Sequence, residues 1–123
     1  MGYESKFFIV NKSKYSSPSI ENGRHWCEII AMFDLCKVYS VSDRMRKYPE
    51  TDGYIYLPGY DDPIIKDIYG DIMKEIPIKD AIKIIEDAEK VEPNYRRFKP
   101  CISLLKSFNE DEWKNLVVLH YGH

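Results

Sequence analysis

Between Trp26 and Leu35 the chain alternates so regularly that an extended strand is the conformation it fits. Cys27, Ile29, Ala31, Phe33 and Leu35 fall on one side, and Trp26, Glu28, Ile30, Met32 and Asp34 on the other. A helix would scatter the five odd-numbered apolar residues around its circumference. The odd-numbered face is therefore predicted to meet the core. The even-numbered face is amphipathic and needs only partial cover.

Other elements follow from the same kind of reading. Tyr3–Val10 is predicted as a strand, its apolar run dense enough to be covered on both faces. Asn11–Arg24 lacks periodicity and reads as a loop. Ser42 is placed as the cap of a short helix that Pro49 forbids from continuing. In Gly53–Leu57, Tyr54 and Tyr56 share one face and Ile55 and Leu57 the other, as in a half-buried strand. Pro58-Gly59 and Asp61-Asp62-Pro63 are turn chemistry. Ile64–Tyr69 and Ile72–Ile76 flank Gly70-Asp71 as a hairpin, with glycine free to take positive φ.

From Ile78 the period changes to that of a helix, with Ala81, Ile82, Ile85 and Ala88 inward. Lys83–Asp87 and Glu86–Lys90 are spaced as surface pairs, and Glu92-Pro93-Asn94 closes the helix. A second helix, starting near Pro100, carries Cys101, Leu104, Leu105 and Phe108 on one face. Asn109–Trp113 adds a turn capped by Asn109. Leu116–Tyr121 ends as a strand paired inside the sheet. This order predicts one α+β domain over residues 1–123, with helices packed on one face of a largely antiparallel sheet.

Several classes fall away. The longest strongly apolar stretch, Ile29–Phe33, is five residues, against about 20 for a membrane span. No secretory leader is read at the start, and Lys6 stands where a myristoylation motif needs Ser or Thr. Cys27, Cys36 and Cys101 are odd in number and irregular in spacing, which fits reduced thiols in a cytoplasmic protein. His25 and Cys27 share a strand face, but neither His120 nor His123 completes a close ligand pair, so no metal and no cofactor is expected. A Cys–His nucleophile pair has no better support. No phosphate cradle, nucleophile elbow or zinc helix is present, and catalysis is not expected.

Charge is where the chain departs from a bland surface. Residues 50–92 hold 12 acidic and 5 basic groups, while residues 1–49 hold 8 basic and 5 acidic. Tyr54, Tyr56, Tyr60 and Tyr69 are interleaved with Asp61, Asp62, Asp67, Asp71 and Glu75. One reading is an ordinary solvated face. The functional reading is a landing surface for a basic protein, with carboxylates steering and tyrosines anchoring. Arg44, Arg46 and Lys47, with Arg96 and Arg97, form two smaller basic clusters beside aromatic residues. They carry the alternative, a nucleic-acid-binding regulator.

Ile30-Ala31-Met32-Phe33-Asp34-Leu35, Tyr69-Gly70-Asp71, Lys74-Glu75-Ile76-Pro77, Tyr95-Arg96-Arg97 and Val117-Val118-Leu119-His120-Tyr121-Gly122 resemble a group of small proteins carried by Firmicutes phages and prophages. The resemblance covers most of the chain and transfers no catalytic motif. It implies an accessory protein, similar in size and character to anti-CRISPR proteins, that inhibits a host defence protein such as a Cas nuclease. The expected partner surface is the acidic, tyrosine-bearing one, acting in the host cytoplasm.

Overall fold

The computed structural model describes residues 5–16, 23–35, 38–67 and 69–122. Tyr3, Cys36, His123 and the middle of the predicted 11–24 loop lie outside them. The elements are β1 (Ser5–Ser16), β2 (His25–Asp34), α1 (Tyr39–Met45), β3 (Gly53–Tyr54), β4 (Lys74–Pro77), α2 (Ile78–Val91), α3 (Phe98–Lys106), a 3₁₀ turn at Glu112–Lys114 and β5 (Leu116–Gly122). This is an α+β fold. The five strands run in the order β3-β2-β1-β5-β4, and every pairing is antiparallel except β2–β3.

β1 and β5 occupy the centre, which explains why Phe7, Phe8, Ile9 and Val10 are all buried. Alternation sends Phe7 and Ile9 to one face and Phe8 and Val10 to the other. On the first face Phe7, Ile9, Ile76 and Val118 meet Val41, Met45, Ile82, Ile85, Phe98 and Leu105 from the three helices. On the second face Phe8, Val10, Leu119 and Tyr121 meet Ile55 and Met73, with Leu57 and Ile64 packed alongside. Helices thus cover one face, as expected. The other is covered by the irregular segment between α1 and β4.

β2 corrects the simple alternation in an instructive way. Ile9 pairs with Ala31 but Val10 pairs with Ile29, so Ile30 is an extra residue opposite β1. Such a bulge turns the strand and changes which side its later residues reach. Ala31 and Phe33 pack on the helix-side core, while Cys27 and Ile29 pack on the second core. The odd-numbered residues do point inward, but into two different cores.

Other boundaries moved for physical reasons. β1 continues through Lys12, which pairs with Cys27, to Ser16, which pairs with His25. The ladder uses backbone groups, so polar side chains do not end it. α1 begins at Tyr39, and Ser42 sits inside it with its N–H donating to the Val38 carbonyl at 3.0 Å, so Ser42 is no cap. α3 begins at Phe98, which places Pro100 in the first turn, where an amide has no intrahelical partner to lose. Asp87 pairs with Arg44 at 2.9 Å and Glu86 with Lys106 at 2.9 Å, in place of the predicted i,i+4 partners. These contacts tie α2 to α1 and to α3.

Candidate functional site

The segment from Glu50 to Glu75 is fastened at its ends and folded back on itself. Thr51 N–H donates to the Met73 carbonyl at 2.9 Å, and Glu75 N–H donates to the Pro49 carbonyl at 2.9 Å. The predicted 53–57 strand is reduced to Gly53–Tyr54, after which Ile55 exchanges two hydrogen bonds with Ile64, at 3.1 and 2.7 Å. Pro58-Gly59 forms a turn in which Tyr60 N–H reaches the Leu57 carbonyl at 3.1 Å, with Gly59 at φ 86°. Gly70 takes φ 87°, as the predicted turn requires. The arm before that turn makes only a bridge from Lys66 to Ile72, however, and β4 pairs with β5.

Packing decides which predicted residues remain on the surface. Tyr54 is buried, with its ring edge-on to Tyr56 at a centroid distance of 5.6 Å. Asp67 is buried too. Its Oδ1 accepts from the Tyr69 and Asp71 amides at 2.8 and 3.1 Å, so it builds the turn. Glu75 is half-buried and accepts from Thr51 Oγ1 at 2.9 Å and from Lys12 Nζ at 3.3 Å. These three are corrections to the predicted contact surface, because each is committed to the fold. Tyr56 at 41%, Tyr60 at 67% and Tyr69 at 38% stay exposed, with Asp61, Asp62 and Asp71 exposed beside them in sequence.

The acidic block is also less of a single field than its sequence suggests. Glu50 faces Lys74 at 3.6 Å, and Asp80 accepts from the Tyr48 hydroxyl at 2.9 Å. Asp52 is ion-paired with Lys12. Among the described residues, no cation lies within ion-pair distance of Asp61 or Asp62. Uncompensated charge therefore concentrates at the 60–62 tip.

Burial alone would lower the Lys12 ammonium, but hydrogen bonds and charge from Asp52 and Glu75 outweigh it and hold the group above the ordinary lysine range. Burial alone would raise the Asp52 carboxyl, and Lys12 outweighs it and holds the group below the ordinary range. The depressed carboxyl stabilises the fold fully above its unfolded value and loses that contribution as pH falls through the folded one. The raised ammonium stabilises fully below its unfolded value and loses that contribution as pH rises through the folded one. The stability difference between wild type and Lys12→Met is therefore expected to be flat from about pH 5 to about pH 9 and to shrink outside that window. Urea unfolding at a series of pH values checks it.

The alternative basic residues divide. Arg44 is held by Asp87, Arg46 by Asp43, and Arg97 donates to the Asp34 carbonyl at 2.8 Å. Lys47 and Arg96 are exposed. Burial pushes the Cys27 thiol up to about 11 and the Cys101 thiol up to about 12, so neither supplies a thiolate near neutral pH. His25 Nε2 lies 3.9 Å from Asp52 Oδ2. Among the described residues, no group of three or more His, Cys, Asp and Glu side chains is arranged to hold a metal ion.

One feature escaped the sequence reading, and a second was read there only as a partly covered face. A hollow of about 250 Å³ opens where the 67–71 turn meets β4 and β5, lined by Asp67, Asp71, Lys74, Arg46 and the buried His120. Its carboxylates and cations match in number, and nothing in local spacing announces it. Trp26, Ile30 and Met32 are exposed large hydrophobics of β2; their even-numbered alternation was the available signal. No described helix is long and apolar enough to cross a membrane. Compared with protein-family models, with curated proteins and with solved structures, the chain finds no match.

Proposed function

We propose that this protein is a phage-encoded inhibitor that works stoichiometrically in the host cytoplasm. It docks on a defence effector such as a Cas nuclease and occupies a nucleic-acid-binding surface there. One observation carries the reading. Tyr56, Tyr60 and Tyr69 are exposed together with Asp61, Asp62 and Asp71 on a segment whose apolar residues are fixed to the sheet. Tyrosine supplies contact area with little rotamer freedom to lose. The Asp61 and Asp62 carboxylates, with no cation within ion-pair distance among the described residues, match a Lys/Arg-lined groove and compete there with phosphates. The commitment of Arg44 and Arg97 to internal partners favours this reading over direct nucleic-acid binding.

The test is a pull-down with a target-cleavage assay. The triple variant Asp61→Asn, Asp62→Asn, Asp71→Asn is expected to bind about a hundredfold more weakly, at roughly 1 kcal/mol per lost charge contact, and to stop inhibiting. Asp67 is left in place because it holds the turn. Wild-type binding is expected to weaken steeply with salt. Undiminished inhibition by the triple variant removes this surface from consideration. A gel shift by the protein alone would favour the exposed basic side chains instead.

A further inference from the structure

β2 lies next to one end of the sheet, but its outer neighbour covers very little of it. β3 pairs only with His25 and Trp26. Among the described residues, no strand or bridge pairs with the outer side of β2 from Glu28 to Phe33. No turn or loop backbone hydrogen-bonds to it either. At about 3.3 Å per residue this leaves about 20 Å of open ladder. Side-chain burial agrees. Ala31 and Phe33 are only partly buried, whereas their β1 partners Ile9 and Phe7 are fully buried, and Ile30 and Met32 are exposed at 42% and 55%.

An open edge is a template for another strand, and proteins usually blunt it with lysine, proline or a bulge. No Lys, Arg or Pro occurs from Cys27 to Asp34. The bulge at Ile30 bends the strand but leaves Ala31–Asp34 in regular register with β1.

The charges at the two ends of this stretch select its occupant. Glu28 is exposed at one end. At the other, Arg97 Nη1 donates to the Asp34 carbonyl at 2.8 Å and lies 3.8 Å from the Asp34 carboxylate, with half its side chain still exposed. Because Ile30 bulges, Glu28 lies only two ladder steps from Ala31, so two copies laid antiparallel about a two-fold axis at Ala31 bring each Glu28 opposite the partner's Phe33, next to Asp34. Each Glu28 then meets the guanidinium of the partner's Arg97. The edge is complementary to itself.

We propose that the protein forms a two-fold dimer in which the outer edges of β2 pair antiparallel, joining two five-stranded sheets into one continuous sheet. This does not depend on the 56–71 surface or on any inhibited target. Sedimentation equilibrium across the micromolar range is expected to give twice the 14.6 kDa chain mass. Met32→Lys brings two lysines close to the axis and is expected to give the monomer mass with an unchanged far-UV circular dichroism spectrum. Glu28→Arg is expected to weaken the dimer, and Glu28→Arg combined with Arg97→Glu to restore it. Hydrogen exchange gives a second readout, since amides on the outer edge of β2 are expected to lose protection in Met32→Lys alone. A wild-type chain that stays monomeric at every concentration overturns the proposal. So does a dimer that survives both Met32→Lys and Glu28→Arg.

Discussion

Alanine at position 53 is expected to lower the stability of the fold by about 3 kcal/mol. A Cβ there lands 2.4 Å from Cys27 Sγ, with Thr51 Oγ1 at 3.2 Å and the His25 carbonyl at 3.3 Å. None of the three can retreat cheaply. The sulfur is buried in the second core, the hydroxyl accepts from Gly53 N–H at 3.0 Å and donates to Glu75, and the carbonyl belongs to the β2 backbone. Overpacking of this kind costs about 1–3 kcal/mol, and the upper end applies because the clash sits on the β2–β3 pairing itself. With a urea dependence of about 1.5 kcal/mol per molar, the unfolding midpoint falls by about 2 M. Cys27→Ala removes the sulfur, so adding it to Gly53→Ala is expected to recover more than half of the loss. Coupling of that size is what contacting residues show in a double-mutant cycle. Equal midpoints for wild type and Gly53→Ala would refute the close approach.

Phe8→Ala is expected to cost still more, about 3–5 kcal/mol. Phe8 is fully buried on the face away from the helices, with its ring edge-on to Tyr121 at 6.0 Å and 87°. It belongs to the same buried cluster as Ile55 and Met73, the residues that hold the covering segment against the sheet. The effect should therefore be uneven. Native-state hydrogen exchange is expected to show the Ile55 and Ile64 amides losing protection first, while α2, packed on the opposite face, keeps its own. Uniform loss across both faces would mean that the two cores do not open separately.

Where side-chain pattern and burial share a cause, the sequence was a sufficient guide. β2 was legible because alternation and inward facing are the same geometric fact, and α2 because Ala81, Ile82, Ile85 and Ala88 trace one helical face. Gly70 announced its turn because only glycine takes that φ without strain. The extension of β1 past Val10 was hidden, since Lys12 and its neighbours join the ladder through backbone groups alone. The bulge at Ile30 was hidden as well, because register belongs to a pair of strands and one strand does not encode it. At the candidate site, Tyr60, Asp61 and Asp62 were visible as turn residues with no apolar pattern to bury them. The burial of Tyr54 and Asp67 depends on what the segment packs against, which composition does not contain.

The covering segment touches the second core through a few fixed points, Ile55, Leu57, Ile64 and Met73, and the stretch from Pro58 to Pro63 lies between two of them. Side chains at the tip of that stretch can be exchanged without disturbing the strands beneath, since none of them fills a core position. Changes at the tip and selection for folding then act on separate residues. The same scaffold can carry a different tip while its melting behaviour stays put.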